Sequence, residues 1–204
     1  NMRKIFLVMI GSLLLVSATY AQKQLFKLNE NNECEISGTI EVSSSKTMSY
    51  MVFKDWIYKI STATVPTIIE EVKDESIKAQ VFVNTRSVNN PISGVFVENL
   101  GFKCEATFSD KTVTYRLYGF AIGQSYAGWG SKSTVEELDY QMNRYEKAKK
   151  DLSEAKDPNS TMSSSERRRV VRESKETIEE VEKKLKSSTK VMERNIEKLN
   201  KMLK

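Results

Sequence analysis

The chain of 204 residues contains no histidine, two cysteines, three prolines and eight glycines. Without histidine it lacks the usual general base near neutral pH and the commonest metal ligand. Two cysteines cannot complete a cysteine-based zinc site, because structural zinc takes four nitrogen or sulfur ligands. No metal, no cofactor and no catalytic residue is therefore expected. Apolar residues make up 39%, too many for a disordered chain, and charged residues 29%, too many for a multi-spanning membrane protein.

What is present begins with an address. Arg3 and Lys4 precede an apolar run from Ile5 to Val16, broken only by Gly11 and Ser12, and small residues follow at Ser17, Ala18, Thr19 and Ala21. This is the pattern of a secretory signal peptide over residues 1–21, with cleavage expected after Ala21. The apolar run is shorter than the roughly 20 residues a spanning helix needs, so no transmembrane span is expected. No cysteine follows it to carry a lipid. Without Arg3 and Lys4, 30 basic residues face 27 acidic ones. The expected product is an exported protein, periplasmic or secreted.

Composition shifts once. Residues 22–132 hold 12 basic and 12 acidic side chains, whereas residues 133–204 hold 18 and 15, no glycine and one proline, Pro158. The stretch GQSYAGWGSKS lies at the junction. The reading is an α+β domain over 22–122, a glycine-rich linker over 123–132 and a charged helical hairpin over 133–204.

Within the first region Cys34, Ile36, Ile40 and Val42 alternate with polar residues, which predicts a strand. Ser43–Lys46 can cap a helix whose apolar positions are Met48, Met51, Val52, Trp56 and Ile60, opposite Lys54, Asp55 and Lys59. Pro66 closes that unit. Ile68–Val72 and Ile77–Val83 read as strands around a KDES turn, and residues 89–94 as another turn. Val95–Phe108 and Thr112–Ile122 flank the three-residue loop Ser109-Asp110-Lys111, a hairpin signal. The expected fold is a five-stranded, mostly antiparallel sheet in the order β-α-β-β-β-β, with helices on one face. The first tail helix is expected to cover the remaining apolar surface.

These residues resemble a family: exported Bacteroidota proteins carrying a domain of unknown function with a TATA-binding-protein-like (TBP-like) fold. The resemblance rests on GTIEV, MSYMVFKDWIYKI with its Lys-Asp-Trp-Ile, IIEEVKDESIKA and CEATFSDKTVTYRLYGF, and covers about residues 33–122. It implies the β-α-β-β-β-β sheet and an envelope or secreted setting. It lends no catalytic residues and implies no nucleic-acid binding, since the shared name concerns the fold alone.

Possible chemistry is sparse. Gly123-Gln124-Ser125-Tyr126-Ala127 lies one residue from the nucleophile elbow of hydrolases, but Ser125 has no histidine to take its proton. Glu70–Glu71 and Asp74–Glu75 are sequence neighbours, and neighbours on a strand point to opposite faces, so they read as a solvated turn. Tyr126 and Trp129 can either stack on a sugar or a partner peptide, or cover the end of the sheet where the tail leaves it. Arg167, Arg168, Arg169 and Arg172 read as a helix face paired with Glu173 and Glu176, or as a weak contact with an anionic surface. For Cys34 and Cys104 two outcomes stay open, a disulfide or two buried thiols.

The tail carries the most regular pattern. Ser133-x-x-Glu136 and Ser163-x-x-Glu166 are capping boxes, so helices are expected over about 133–156 and 164–204, separated around Pro158. Val135, Leu138, Met142, Tyr145 and Leu152 mark the first. In the second, Val171, Ser174, Ile178, Val181, Leu185, Ser188, Met192, Asn195, Leu199 and Met202 follow steps of three and four, a heptad seam. The first helix is too short to cover that seam to its end. Met192, Ile196, Leu199, Met202 and Leu203 must therefore lie on the α/β core, pair with a second copy or bind another protein, and of these docking is the expectation. The function expected is a non-catalytic binding or structural protein of the cell envelope. The alternative is an envelope hydrolase using carboxylates or a Ser–Lys arrangement.

Overall fold

The computed structural model describes residues 25–90, 94–127 and 132–204; the expected signal peptide lies outside them. Elements run β1 (Lys27–Leu28), β2 (Cys34–Glu41), α1 (Lys46–Ile60), β3 (Thr67–Val72), β4 (Ser76–Asn90), β5 (Gly94–Phe108), β6 (Thr112–Ala127), β7 (Lys132–Glu137), α2 (Leu138–Lys156) and α3 (Ser164–Leu203). The protein is α+β. Strands β3 to β6 form a meander, and β6 returns beside β2 to give the order β1-β2-β6-β5-β4-β3, every pair antiparallel. The five expected strands are joined by a two-residue β1 and by β7, which pairs with the second half of β6.

Alternation decides which side of the sheet is covered. Ile36 and Ile40 on β2, Ile77 to Val83 at every second residue on β4, and Leu100 to Phe108 likewise on β5 are buried, and all three helices lie on that side. On β6 the buried positions are Val113, Tyr115 and Leu117, then Phe120 and Ile122. The parity changes at a bulge, where Gly101 pairs with Ala121 but Lys103 with Tyr118. Gly119, with φ +61°, supplies the left-handed residue this needs.

Helix α1 starts at Ser45, whose Oγ accepts the Met48 N–H at 3.3 Å. It buries Tyr50, Phe53, Trp56, Ile57 and Ile60, whereas Met48 and Met51 are exposed. The expected stripe was thus turned away from its true centre: the aromatic rings fill the space over β5, with Tyr50 and Phe53 edge-on to Phe108.

The tail departs from expectation at both ends. Ser133–Glu136 is no capping box; it lies in β7, and α2 begins five residues later with Glu137 as an N-cap that makes no side-chain bond. Strand β2 pairs with β6 only as far as Tyr118, which leaves the backbone of Ala121–Tyr126 needing a partner, and β7 supplies it. The expected linker accordingly contributes residues 123–127 to β6 and Lys132 to β7. The second capping box holds, with Ser163 Oγ accepting the Glu166 N–H at 3.3 Å.

Helices α2 and α3 are antiparallel and pack through Leu138, Gln141, Ala148 and Ala155 against a seam that includes Ser174, Val181, Leu185 and Ser188. Gln141 donates to Glu136, Arg144 bridges Gln141 and Glu180, and Lys184 pairs with Glu136 and Glu180 at 3.3 and 3.2 Å, a polar clasp joining β7, α2 and α3. Beyond the reach of α2, the last turns of α3 lie on α1 and the sheet. Trp56 Nε1 donates to the Asn195 carbonyl at 2.9 Å. Met192 and Leu199 are fully buried, Leu203 nearly so, and Ile196 and Met202 pack partly buried against the same core. The expected docking surface is therefore corrected: these five residues cover the α/β core of their own chain.

Candidate functional site

Which backbone groups of β2 are spoken for follows from two bonds. The Asn29 N–H donates to Glu33 and the Val42 N–H to Lys111, each at 2.9 Å. Strand residues alternate their hydrogen-bonding side, so the even-numbered residues of β2 bond toward β6 and the odd ones toward β1. Strand β1 reaches only Glu35. Ser37, Thr39 and Glu41 therefore point their N–H and C=O groups to an edge on which no strand is paired among the described residues.

A cleft of about 550 Å³ opens beside that edge, between β2, the β1 segment and the last turns of α3. Ile36, Tyr115 and Ile196 form its floor, with Leu25 and Leu28 to one side. Glu193, Glu197 and Asn200 line the α3 side, and Lys27 and Glu35 the strand side. The Tyr115 ring lies across Gly38, its cross-strand partner; a Cβ at that position would meet the phenol oxygen at 2.8 Å. Glycine is thus required for the ring to sit flat against the strand. Burial pushes the Tyr115 phenol above its ordinary pKa, so it stays a neutral donor.

The uncovered face of the sheet next to the cleft carries a ladder of charges. Arg116 bonds Glu35 at 2.9 Å and Glu33 at 3.2 Å and stacks 4.4 Å from the Tyr118 ring centroid. Tyr118 donates to Glu105, which also pairs with Lys78 at 2.7 Å. Burial pulls the Glu35 carboxyl upward, but bonds from Asn29 and Arg116 outweigh it and hold the group below the usual carboxylate range. Glu105 is lowered in the same way, its burial outweighed by Lys78 and Tyr118. These ions satisfy one another across the exposed face.

The remaining sequence candidates lie apart. Ser125 is exposed on β6, paired with Val97 and Ser133. Glu71 pairs with Lys54 at 2.6 Å, and Asp74 turns the β3–β4 hairpin at φ +62°. The backbone of Tyr126 is paired with Phe96 and Lys132; its side chain and all of Trp129 lie outside the described residues. Arg167 donates to the Ser160 carbonyl at 3.1 Å. Arg168, Arg169 and Arg172 are exposed and, among the described residues, make none of the expected ion pairs with Glu173 or Glu176.

Cys34 and Cys104 are free, buried thiols. Cys104 faces Leu117 on β6, and Leu117 faces Ile36 on β2, so one strand stands between the cysteines. Two strand spacings come to about 10 Å, beyond the ~7 Å a disulfide spans. Burial pushes both thiols well above their ordinary pKa, helped at Cys34 by Asp139 and Glu35 and at Cys104 by Glu105. Among the described residues no acidic or cysteine cluster could hold a metal ion, and no helix is long and apolar enough to cross a membrane.

Neither the open edge nor the cleft was read from the sequence. The signal available was Ser-Gly-Thr-Ile over residues 37–40, a strand segment with no charge, no proline and a glycine at its centre.

No family model and no curated protein matches the chain. Two solved structures are similar to it. One is a DUF4468 family protein from Bacteroides ovatus, 9% identical, with a TM-score of 0.45 over 83% of this chain and 91% of that one. The other is a TBP-like protein from Parabacteroides distasonis, 15% identical, with a TM-score of 0.39 over 54% of this chain and 69% of that one. Both come from Bacteroidota, one described as a domain-of-unknown-function protein and the other as TBP-like.

Proposed function

We propose that the protein is an exported, non-catalytic binding component of the cell envelope whose partner seats in the cleft beside β2. The observation that carries this reading is the coincidence of an apolar-floored cleft of about 550 Å³ with an unpaired strand edge. Clefts with an apolar body and a few polar groups at the rim are the usual form of a binding site. The end of α3 takes part as the wall of that cleft, through Ile196 and Asn200, and not as a free helix. Export rests on the pattern of residues 1–21. The exposed Arg168, Arg169 and Arg172 at the far end of α3 are suited to a weak contact with an anionic surface.

Photo-cross-linking in the producing cell tests the site. A photoreactive residue at Asn200 should give a discrete adduct, while one at the exposed Glu179 should give none. Adducts from Glu179 alone would instead favour docking on the outer helix face. Turnover of an ester or glycoside by the wild type that Ser125→Ala abolishes would replace the binding reading by the hydrolase one.

A further inference from the structure

We infer that the cleft takes an extended, basic segment of a partner protein, which adds as a strand to the free edge of β2; this rests on the binding reading above. The two ends of the sheet are guarded differently. At the β3 edge, Pro66 precedes the strand, a bulge falls between Ile68 and Glu70, and Glu70 and Glu71 add charge. These are the devices by which proteins keep edges from pairing. At the β2 edge, Ser37, Gly38, Thr39 and Ile40 carry none of them, the one charge being Glu41 at the strand's end, and Ser37, Thr39 and Glu41 offer three residues' worth of outward N–H and C=O groups that no strand among the described residues takes up. An added strand satisfies those groups with its own backbone.

The occupant's chemistry follows from the wall opposite. A strand on this edge turns every second side chain toward the covered side, into the cleft. There it meets the apolar surface of Ile36, Tyr115 and Ile196, and beyond it Glu193 and Glu197 on the α3 side, against the single cation Lys27 on the strand side. Glu197 is paired with Lys201 at 2.6 Å, while Glu193 makes no ion pair among the described residues. Lysine or arginine fits both layers, its aliphatic stem along Ile196 and its charged head at the carboxylates. A second copy of this chain fits worse. Pairing β2 with β2 about a two-fold axis brings two clefts of the same charge together, each with Glu193 and Glu197 in its lining, and like charges repel.

The test uses the chain from Gln22 and two fluorescent octapeptides, one alternating lysine with valine, the other alternating glutamate with valine. Anisotropy should show the lysine peptide bound, at least tenfold more tightly than the glutamate peptide and more weakly as salt rises. Glu193→Gln with Glu197→Gln should cut lysine-peptide affinity about tenfold. Thr39→Pro removes one edge-facing N–H and leaves the bonds to β6 in place, so it should fold and lose binding; Ser37→Pro serves as the second variant if it does not. Equal binding of both peptides, lost in Thr39→Pro, would overturn the basic preference and leave the edge site standing. No binding by either peptide, or binding unchanged in both proline variants, would overturn strand addition itself. Dimerisation of the wild type that Thr39→Pro abolishes would make the occupant a second copy.

Discussion

Cys34 shows how burial and neighbouring charge act together on one side chain. Its backbone N–H donates to Asp139 at 2.6 Å while its thiol is fully enclosed. Only the thiolate is a nucleophile, and burial suppresses it at both cysteines. In native protein at pH 8 neither thiol should react with an aromatic disulfide reagent, and both should react at once in denaturant. Arg116 shows the opposite case, a partly exposed ion held by several partners. Glu35 and Glu105 have lowered folded pKa values, so the stability they contribute is present above the ordinary value of 4.5 and lost as pH falls through the folded value. Solvent screening keeps that contribution small. Wild type should melt about 2 °C above Arg116→Gln at pH 7, and the gap should close as the pH is taken well below 4.5.

At the scale of the element, the bulge in β6 does the most with one residue. Gly119 shifts the strand's parity so that Phe120 and Ile122 reach the core, where Phe120 packs edge-on to Phe26 at 5.0 Å. A Cβ there would meet only Lys103 Cδ, at 4.0 Å, so the cost of substitution is conformational. Gly119→Ala should lose roughly 1–2 kcal/mol in urea unfolding, and Gly119→Asn less, because asparagine tolerates the left-handed region better. The apolar run Val113, Tyr115, Leu117, then Phe120 and Ile122, already carries that change of parity at a glycine. The strand β7 is different. Ser133-Thr134-Val135-Glu136 has the local chemistry of a helix start, and the unpaired half of β6 overrides it.

At the scale of the whole molecule, α3 is the beam on which the fold closes. At 1.5 Å per residue its 40 residues run about 60 Å, against about 28 Å for the 19 residues of α2. The excess spans the sheet, and the buried set of the sheet, α1 and both tail helices forms one cluster. Leu199→Asp places an unpaired charge in that cluster. It should cost more than 4 kcal/mol and lower the melting temperature by roughly 10 °C or more. Trp56 fluorescence and far-ultraviolet dichroism should still change together, because Trp56 is bonded to Asn195 across the same core.

What the residues determined alone are the features set by local periodicity: the strand alternation from Cys34 to Val42, the SDK hairpin, the Ser45 and Ser163 caps, and the heptad steps of α3. Each depends on neighbours within a few positions, and each survives in the fold. What only the tertiary structure decided is where the surplus goes. A heptad seam states that something covers it, not whether that is a partner or the chain's own sheet, because apolar contact is non-directional. The separation of Cys34 from Cys104 was set by the return of β6 between their strands. Among the described residues the edge of β2 is open for a related reason: β1 ends its pairing at Glu35, and a strand edge is defined by the neighbour it lacks, which no local pattern records.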